Sequence, residues 1–195
     1  MKMGNIDKIR ELLKKNRSYR RFRESIRISD DVLIDIVDLV RYCSSGRNLQ
    51  PLKYKIVSEE SICKRLFPHL AWAGYLTDWP GPKEGERPVA YIVQCLDNSL
   101  TNNPMCDEGL QLEAITMGAT AIGLGCCIIK SFKVEEVKEI LDLPESLEPT
   151  YIVALGEPIE SVVLEDMVDN DYKYWRDSEQ IHHVPKRSIE EILLK

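Results

Sequence analysis

Four arginines fall within seven residues: Arg17, Arg20, Arg21 and Arg23, in the run Asn16-Arg17-Ser18-Tyr19-Arg20-Arg21-Phe22-Arg23. The chain around them is acidic, with 26 Lys and Arg against 32 Asp and Glu and a formal net charge of -6. A guanidinium presents a planar fork of donors that matches a phosphate. Ser18 adds a hydroxyl and a backbone N–H to the same stretch. The chemistry that this cluster suits is the clamping of a nucleotide-like phosphate. A solvated turn, with basic side chains set against the negative end of a helix dipole, accounts for the same residues equally well. The acidic balance and the shortness of the run argue against a duplex-binding surface, so no nucleic acid is expected.

The neighbouring elements must position the cluster. Residues 5–16 put Ile6, Ile9, Leu12 and Leu13 on one face of a predicted helix that leads directly into it. Ser29 reads as the N-cap of a second helix, with Asp30 and Asp31 in its first turn and Leu33, Ile36, Val37 and Val40 as its stripe. Cys43 to Pro51 is a polar loop. Leu52, Tyr54 and Ile56 alternate as a half-buried strand, and residues 59–70 are helical. Residues 74–88 hold three prolines and three glycines, an irregular excursion that could cover a site, with Trp72 and Trp79 at its ends. Val89 to Leu96 is apolar on both faces and predicts a central strand. A long helix over 105–122 follows, in which Gly118, Ala119 and Ala121 predict close packing against another backbone. Gly125 to Ile129 is a strand, residues 134–141 a helix, and Thr150 to Leu155 a strand closed by Gly156-Glu157-Pro158. From about residue 160 the chain is a polar arm with no core of its own, ending in the amphipathic stretch Ser188 to Leu194. Such an arm wraps a partner subunit or packs on its own body.

A length of 195 residues, with 44% apolar and 30% charged residues, predicts one globular domain over 1–195. No apolar run approaches a membrane span, and the first residues lack the apolar stretch of a signal peptide, so a cytoplasmic location is expected. Six cysteines occur without a CxxC pair and read as free thiols. Three scattered histidines, His69, His182 and His183, do not suggest a metal site. Gly123-Leu124-Gly125 imitates a dinucleotide fingerprint, but Ile128 stands in the third glycine's place and the fragment follows a helix instead of a strand. There is no GxxxxGK[ST], GxSxG or HExxH motif.

Three ordered segments carry a resemblance. They are Arg17-Ser18-Tyr19-Arg20-Arg21-Phe22, then Ser44-Ser45-Gly46-Arg47-Asn48-Leu49-Gln50-Pro51, then Gly118 to Cys127 continuing to Ser131-Phe132. Leu147-Glu148-Pro149, Leu155-Gly156-Glu157-Pro158 and the tail segments Tyr174-Trp175-Arg176-Asp177 and His183 to Ser188 fit the same order. Together they resemble the FMN-dependent nitroreductases in their small single-domain form. Leu52 stands where that family commonly has an aromatic, and Arg47 replaces a small or polar residue.

The resemblance implies an α+β fold with a central, mostly antiparallel sheet flanked by helices. It also implies an intertwined homodimer with exchange of the C-terminal arm. Arg17, Ser18 and Arg20 would hold the phosphate and ribityl end of FMN. Arg187, or secondarily Lys186, would reach the phosphate from the C-terminal side, and Arg21 and Arg23 would not. Ser45, Asn48 and Gln50 would lie near the flavin ring. Ile129, Lys130 and Ser131 would pass beside N5, with a backbone N–H of Lys130 or Ser131 as the important group. The implied reaction is ping-pong transfer from NADH or NADPH to a small electron-poor acceptor such as a nitroaromatic or quinone. The alternatives are a flavin carrier or regulator with little turnover, and a specialised activity such as reductive dehalogenation.

Overall fold

The strand segments pair because their apolar residues fit both faces of a pleat. In the computed structural model, which describes residues 4–194, these strands are β1 (Leu52–Val57), β2 (Ala90–Asp97), β3 (Gly125–Ile129) and β4 (Leu147–Gly156). They form one sheet in the order β1-β2-β4-β3, with every neighbouring pair antiparallel. The strand expected to be central, β2, lies between β1 and β4. The single-domain reading of 1–195 extends past the described residues at Met1–Met3 and Lys195.

Alternation along β2 builds two cores. Tyr91, Val93 and Cys95 point to one face, where they meet Ile152, Ala154 and Ile129 under α3 (Glu60–Leu66) and α5 (Val134–Leu141). Ala90 and Ile92 point to the other, with Val153 and Leu155, under α2 (Asp30–Asp38) and α4 (Asp107–Ala121). The resulting α/β/α sandwich is the expected α+β architecture. Ile92 and Ile115 are both fully buried at that second interface, and truncating either to Ala costs about 2–5 kcal/mol. The Ser29 hydroxyl accepts from Val32 N–H and starts α2 where the sequence places it. Gly118 packs closely, but under the Leu39 side chain and not against another backbone: a Cβ there would collide with Leu39 Cδ1. The first helix, α1 (Gly4–Lys15), buries no residue in this chain, and Ile6, Ile9 and Leu13 are exposed.

The tail differs from its sequence reading. The extended arm contains a second sheet of β5 (Val162–Asp166), β6 (Trp175–Arg176) and β7 (His182–Lys186), in the order β5-β7-β6. The pair β5–β7 is parallel, and β6–β7 is antiparallel over two residue pairs. A parallel pair so close in sequence has no hairpin turn to announce it. In this chain the tail lies on its own body, and α6 (Ile189–Ile192) ends it. The excursion over 74–88 is irregular, as expected. Its tryptophans are packing residues: Trp72 meets Phe67 with centroids 5.9 Å apart, and Trp79 lies under Arg176, 4.6 Å from the guanidinium carbon.

Candidate functional site

Extended backbone from Ser18 to Arg23 gives the arginine cluster a period of two. Tyr19 N donates to Cys126 O at 2.8 Å, Phe22 N to Glu86 O at 2.9 Å and Arg23 N to Glu157 O at 2.8 Å. The segment is thereby laid across the end of the main sheet. Arg21 and Arg23 turn outward to acids. Arg21 grips Glu86 bidentately, Nε to Oε2 at 3.0 Å and NH2 to Oε1 at 2.8 Å. Arg23 Nε donates to Glu157 at 2.9 Å. The segment's even members turn inward. Phe22 is fully buried against Gly156, where a Cβ would come within 2.8 Å of the Phe22 Cβ, so only glycine fits. Ser18 and Arg20 line a cavity of about 340 Å³, at the small end of the usual range for ligand pockets.

Arg17 faces the same cavity from the end of α1. Its NH2 donates to Leu13 O at 2.9 Å and so closes the helix, while its Nε is buried without a partner among the described residues. Burial pulls the Arg17 pKa down, opposed by the charges of Glu113 and Tyr19. An under-compensated guanidinium with a spare donor is suited to an anion. One side chain thus both closes the helix and lines the cavity.

Arg20 is 8% exposed. Glu160 accepts its backbone N–H. Its NH1 donates to Ser18 O at 3.1 Å and lies 3.1 Å from His182 Nε2, and its guanidinium carbon sits 4.8 Å from the Tyr174 centroid. Arginine only donates, so His182 Nε2 accepts and the ring carries its proton on Nδ1. Burial first, then Arg20, Arg176 and His183, pushes the His182 pKa down to about 4. The ring is neutral at pH 7, and its buried Nδ1 has no partner among the described residues.

From the tail, Lys186 and Val184 enter the pocket beside His182. Arg187 lies outside it, with NH1 bonded to Asn170 at 2.9 Å and Glu191 at 3.1 Å. The cavity therefore gathers Arg17, Ser18, Arg20 and Lys186 of the expected residues. Tyr174, His182, Glu113 and Thr116 were not singled out for the site from sequence. Alternation over His182, Val184 and Lys186 was the available signal, hidden because the tail was not read as a strand.

Ser45, Asn48 and Gln50 stand elsewhere, at the N-terminal end of α4. Gly46 N donates to the buried Asp107 carboxylate at 2.8 Å, and Gln50 N to the Ser45 hydroxyl at 2.9 Å. Arg47, Asn48 and Gln50 adopt left-handed φ values of 55°, 55° and 51°. Strain of this kind concentrates at functional loops. Ile129 is buried in the sheet, and its neighbour Ile128 is the pocket residue. Lys130 Nζ donates to Thr150 O at 3.0 Å and lies 4.3 Å from the Tyr151 centroid, while Ser131 O accepts from Ala71 N at 2.9 Å. Among the described residues no cluster of His, Cys, Asp or Glu is arranged to hold a metal, and no helix is long and apolar enough to cross a membrane.

The fold is an α+β sandwich with a cavity lined by Arg17, Arg20 and Lys186 at one end of the sheet. The nitroreductase family pattern matches residues 13–88 and 97–157, and the chain belongs to that family of oxidoreductases. The fold is shared with a nitroreductase family protein of Clostridium difficile 630, at 18% identity and a TM-score of 0.65 over 94% of this chain and 95% of that one. It is shared also with an FMN-dependent nitroreductase of C. difficile R20291, at 19% identity and a TM-score of 0.63 over 86% and 97%. A Methanothermobacter thermautotrophicus protein, provisionally named an NADH dehydrogenase/NAD(P)H nitroreductase, is 24% identical over 177 residues, 87% of each chain. An NADPH-dependent oxidoreductase of Staphylococcus haemolyticus is 28% identical over 165 residues, which span 78% of this chain and 65% of that protein.

Proposed function

We propose that the protein is an FMN-dependent NAD(P)H oxidoreductase. The observation that carries this reading is the pocket of Arg17, Ser18, Arg20 and Lys186, with a buried Arg17 Nε that has no partner among the described residues. That donor set suits the phosphate and ribityl end of FMN. Arg17 and Lys186 supply charge. Ser18 supplies a hydroxyl, and Arg20, fixed by His182 and Tyr174, supplies a guanidinium that cannot swing away. Lys186 takes the C-terminal role that the resemblance gives first to Arg187. The backbone at Ile129, Lys130 and Ser131 is the stretch proposed to run beside the reactive ring edge. Bound FMN supplies two-electron transfer in two separate half-reactions, from NADH or NADPH and then to a nitroaromatic, quinone or similar acceptor.

The same reading calls for a second copy of the chain. The loop of Ser45, Asn48 and Gln50 hangs on Asp107, whereas the pocket touches α4 at Glu113 and Thr116. Six to nine residues of helix separate them, about 9–14 Å at the standard rise. In the proposed homodimer the partner's loop completes the ring end of the site. Exposed Ile6, Ile9 and Leu13 of α1 and Ile189 and Ile192 of α6 supply apolar contact area, so α6 is the part of the arm proposed to cross between copies.

The test is the visible spectrum of the purified protein. Yellow protein that releases FMN, is bleached by NADH or NADPH and is reoxidised by a quinone fits the proposal. A chain that takes up no FMN refutes it, and bound flavin that neither nucleotide reduces makes it a carrier.

A further inference from the structure

We propose that His183, held as an imidazolium between Glu165 and Asp177, is a positioning residue for the pocket wall, and that its deprotonation weakens ligand binding there. The ligand's identity rests on the function proposed above; the clamp itself does not.

Strand β7 alternates. His182, Val184 and Lys186 face the cavity. His183, between them, faces the other side and closes a network across all three strands of the tail sheet. Its Nδ1 lies 3.0 Å from Glu165 Oε2 on β5, and its Nε2 lies 3.2 Å from Asp177 Oδ2 at the end of β6. Trp175 of β6 stacks on the ring, centroids 4.1 Å apart and planes 10° from parallel. The Trp175 indole N–H donates to the second Glu165 oxygen at 2.9 Å.

A carboxylate only accepts, and a neutral imidazole carries a single N–H. In either neutral tautomer one ring lone pair faces a carboxylate oxygen across hydrogen-bond distance. Only the imidazolium donates to both. Desolvation by itself lowers the ring's pKa, but the hydrogen bonds to Asp177 and Glu165 and their charges outweigh it and hold it above the ordinary histidine value. The groups that face the ring are Glu165 from β5, and Asp177 and Trp175 from β6. On its own strand His182 is adjacent, with Arg20 and Arg176 acting on that neighbour from the cavity face. The backbone hold of β6 on β7 is short: they pair at Trp175–His183 and Arg176–His182, and Asp177 N donates to Ile181 O at 3.1 Å beside them. His182 belongs to one pair and Tyr174 immediately precedes the other, and these two residues fix Arg20.

The sign follows. With the folded pKa raised, the clamp is complete below the unfolded value of about 6.5 and is lost as pH rises through the folded value. Ligand affinity therefore falls on the alkaline side.

The experiment measures FMN dissociation constants by flavin fluorescence from about pH 6 to about pH 9. It uses the full chain and its Glu165→Gln and His183→Gln variants, and titrates the histidine ring nitrogens of the apo-protein by ¹⁵N NMR. The expected loss in the parent protein is about three- to tenfold, part of the strength of one charged hydrogen bond. Glu165→Gln shifts the midpoint to lower pH, and His183→Gln abolishes the step. FMN's own ionisation is common to all three proteins and cancels. Identical profiles in the three overturn the proposal, as does an NMR midpoint at or below that of free histidine. If FMN binds at no pH, the cofactor reading falls and the NMR midpoint alone decides the clamp. Should His183→Gln not fold, the midpoint shift in Glu165→Gln decides.

Discussion

Removing the Glu160 carboxylate tests whether charge locks the tail to the arginine segment. The Glu160 side chain has no solvent exposure, that of Arg176 is 7% exposed, and they meet at 2.9 Å. The other Glu160 oxygen accepts the backbone N–H groups of Arg20 and of Arg21, the latter at 3.1 Å. One buried side chain thus holds β6 against the segment that lines the pocket. Burial, with repulsion from Arg21 and Arg20, lowers the Arg176 pKa, and Glu160 is the main opposing charge. In Glu160→Ala a guanidinium that cannot shed its proton loses that partner, and two backbone donors lose their acceptor. Leaving a buried charge unpaired costs about 3–5 kcal/mol. Taking about 4 kcal/mol, and about 2–4 °C per kcal/mol for a chain of this size, the melting temperature falls by about 8–16 °C. Arg176→Met leaves Glu160 with its two N–H donors and replaces the cation by a flexible apolar side chain on Trp79. It costs less than half as much. In the double variant Glu160→Ala/Arg176→Met no charge is stranded, so its loss is smaller than the sum of the single losses by about 1–3 kcal/mol. Calorimetry on the four proteins of the cycle reads this directly. Additive losses, or a shift below about 2 °C in Glu160→Ala, refute the argument.

Three further outcomes follow from the same geometry. Arg17→Ala and Lys186→Ala each weaken FMN binding by about tenfold or more, the effect of losing a charged hydrogen bond to phosphate, while Arg187→Ala changes it less than about threefold; flavin titration ranks them. Gly156→Ala drives a methyl into Phe22 and costs about 1–3 kcal/mol, seen as a lower urea midpoint. With a folded pKa of about 4 against an unfolded value of about 6.5, His182 takes up its proton first in the unfolded chain. It therefore removes stability as pH falls between those values, and His182→Asn reduces that acid-side decline in urea midpoint.

The sheet and its flanking helices were legible because their signal is periodic. Val89 to Leu96 could be placed centrally from residue types alone, since both of its faces demand apolar neighbours, and it does separate the two cores. The arginine cluster was half legible. Residue type suits an anion, but sorting Arg20 from Arg21 needed the extended backbone, which sends neighbours to opposite sides. The resemblance leaves Arg21 off the phosphate without saying what it meets; its partner Glu86 lies 65 residues away, too far for any local rule to supply. The resemblance to the family puts Arg187 ahead of Lys186, and residue type alone does not separate them. Once β7 is a strand, the pleat carries 182, 184 and 186 into the cavity, and residue 187 falls beyond its end. The pairing of β7 with β5 is the step that sequence could not provide: its two strands are parallel, short and joined through β6. The ring end of the expected site stands apart for a different reason. Ser45, Asn48 and Gln50 lie a stretch of α4 away from the pocket, and in the proposed homodimer a sequence motif does not record which copy of the chain would present them.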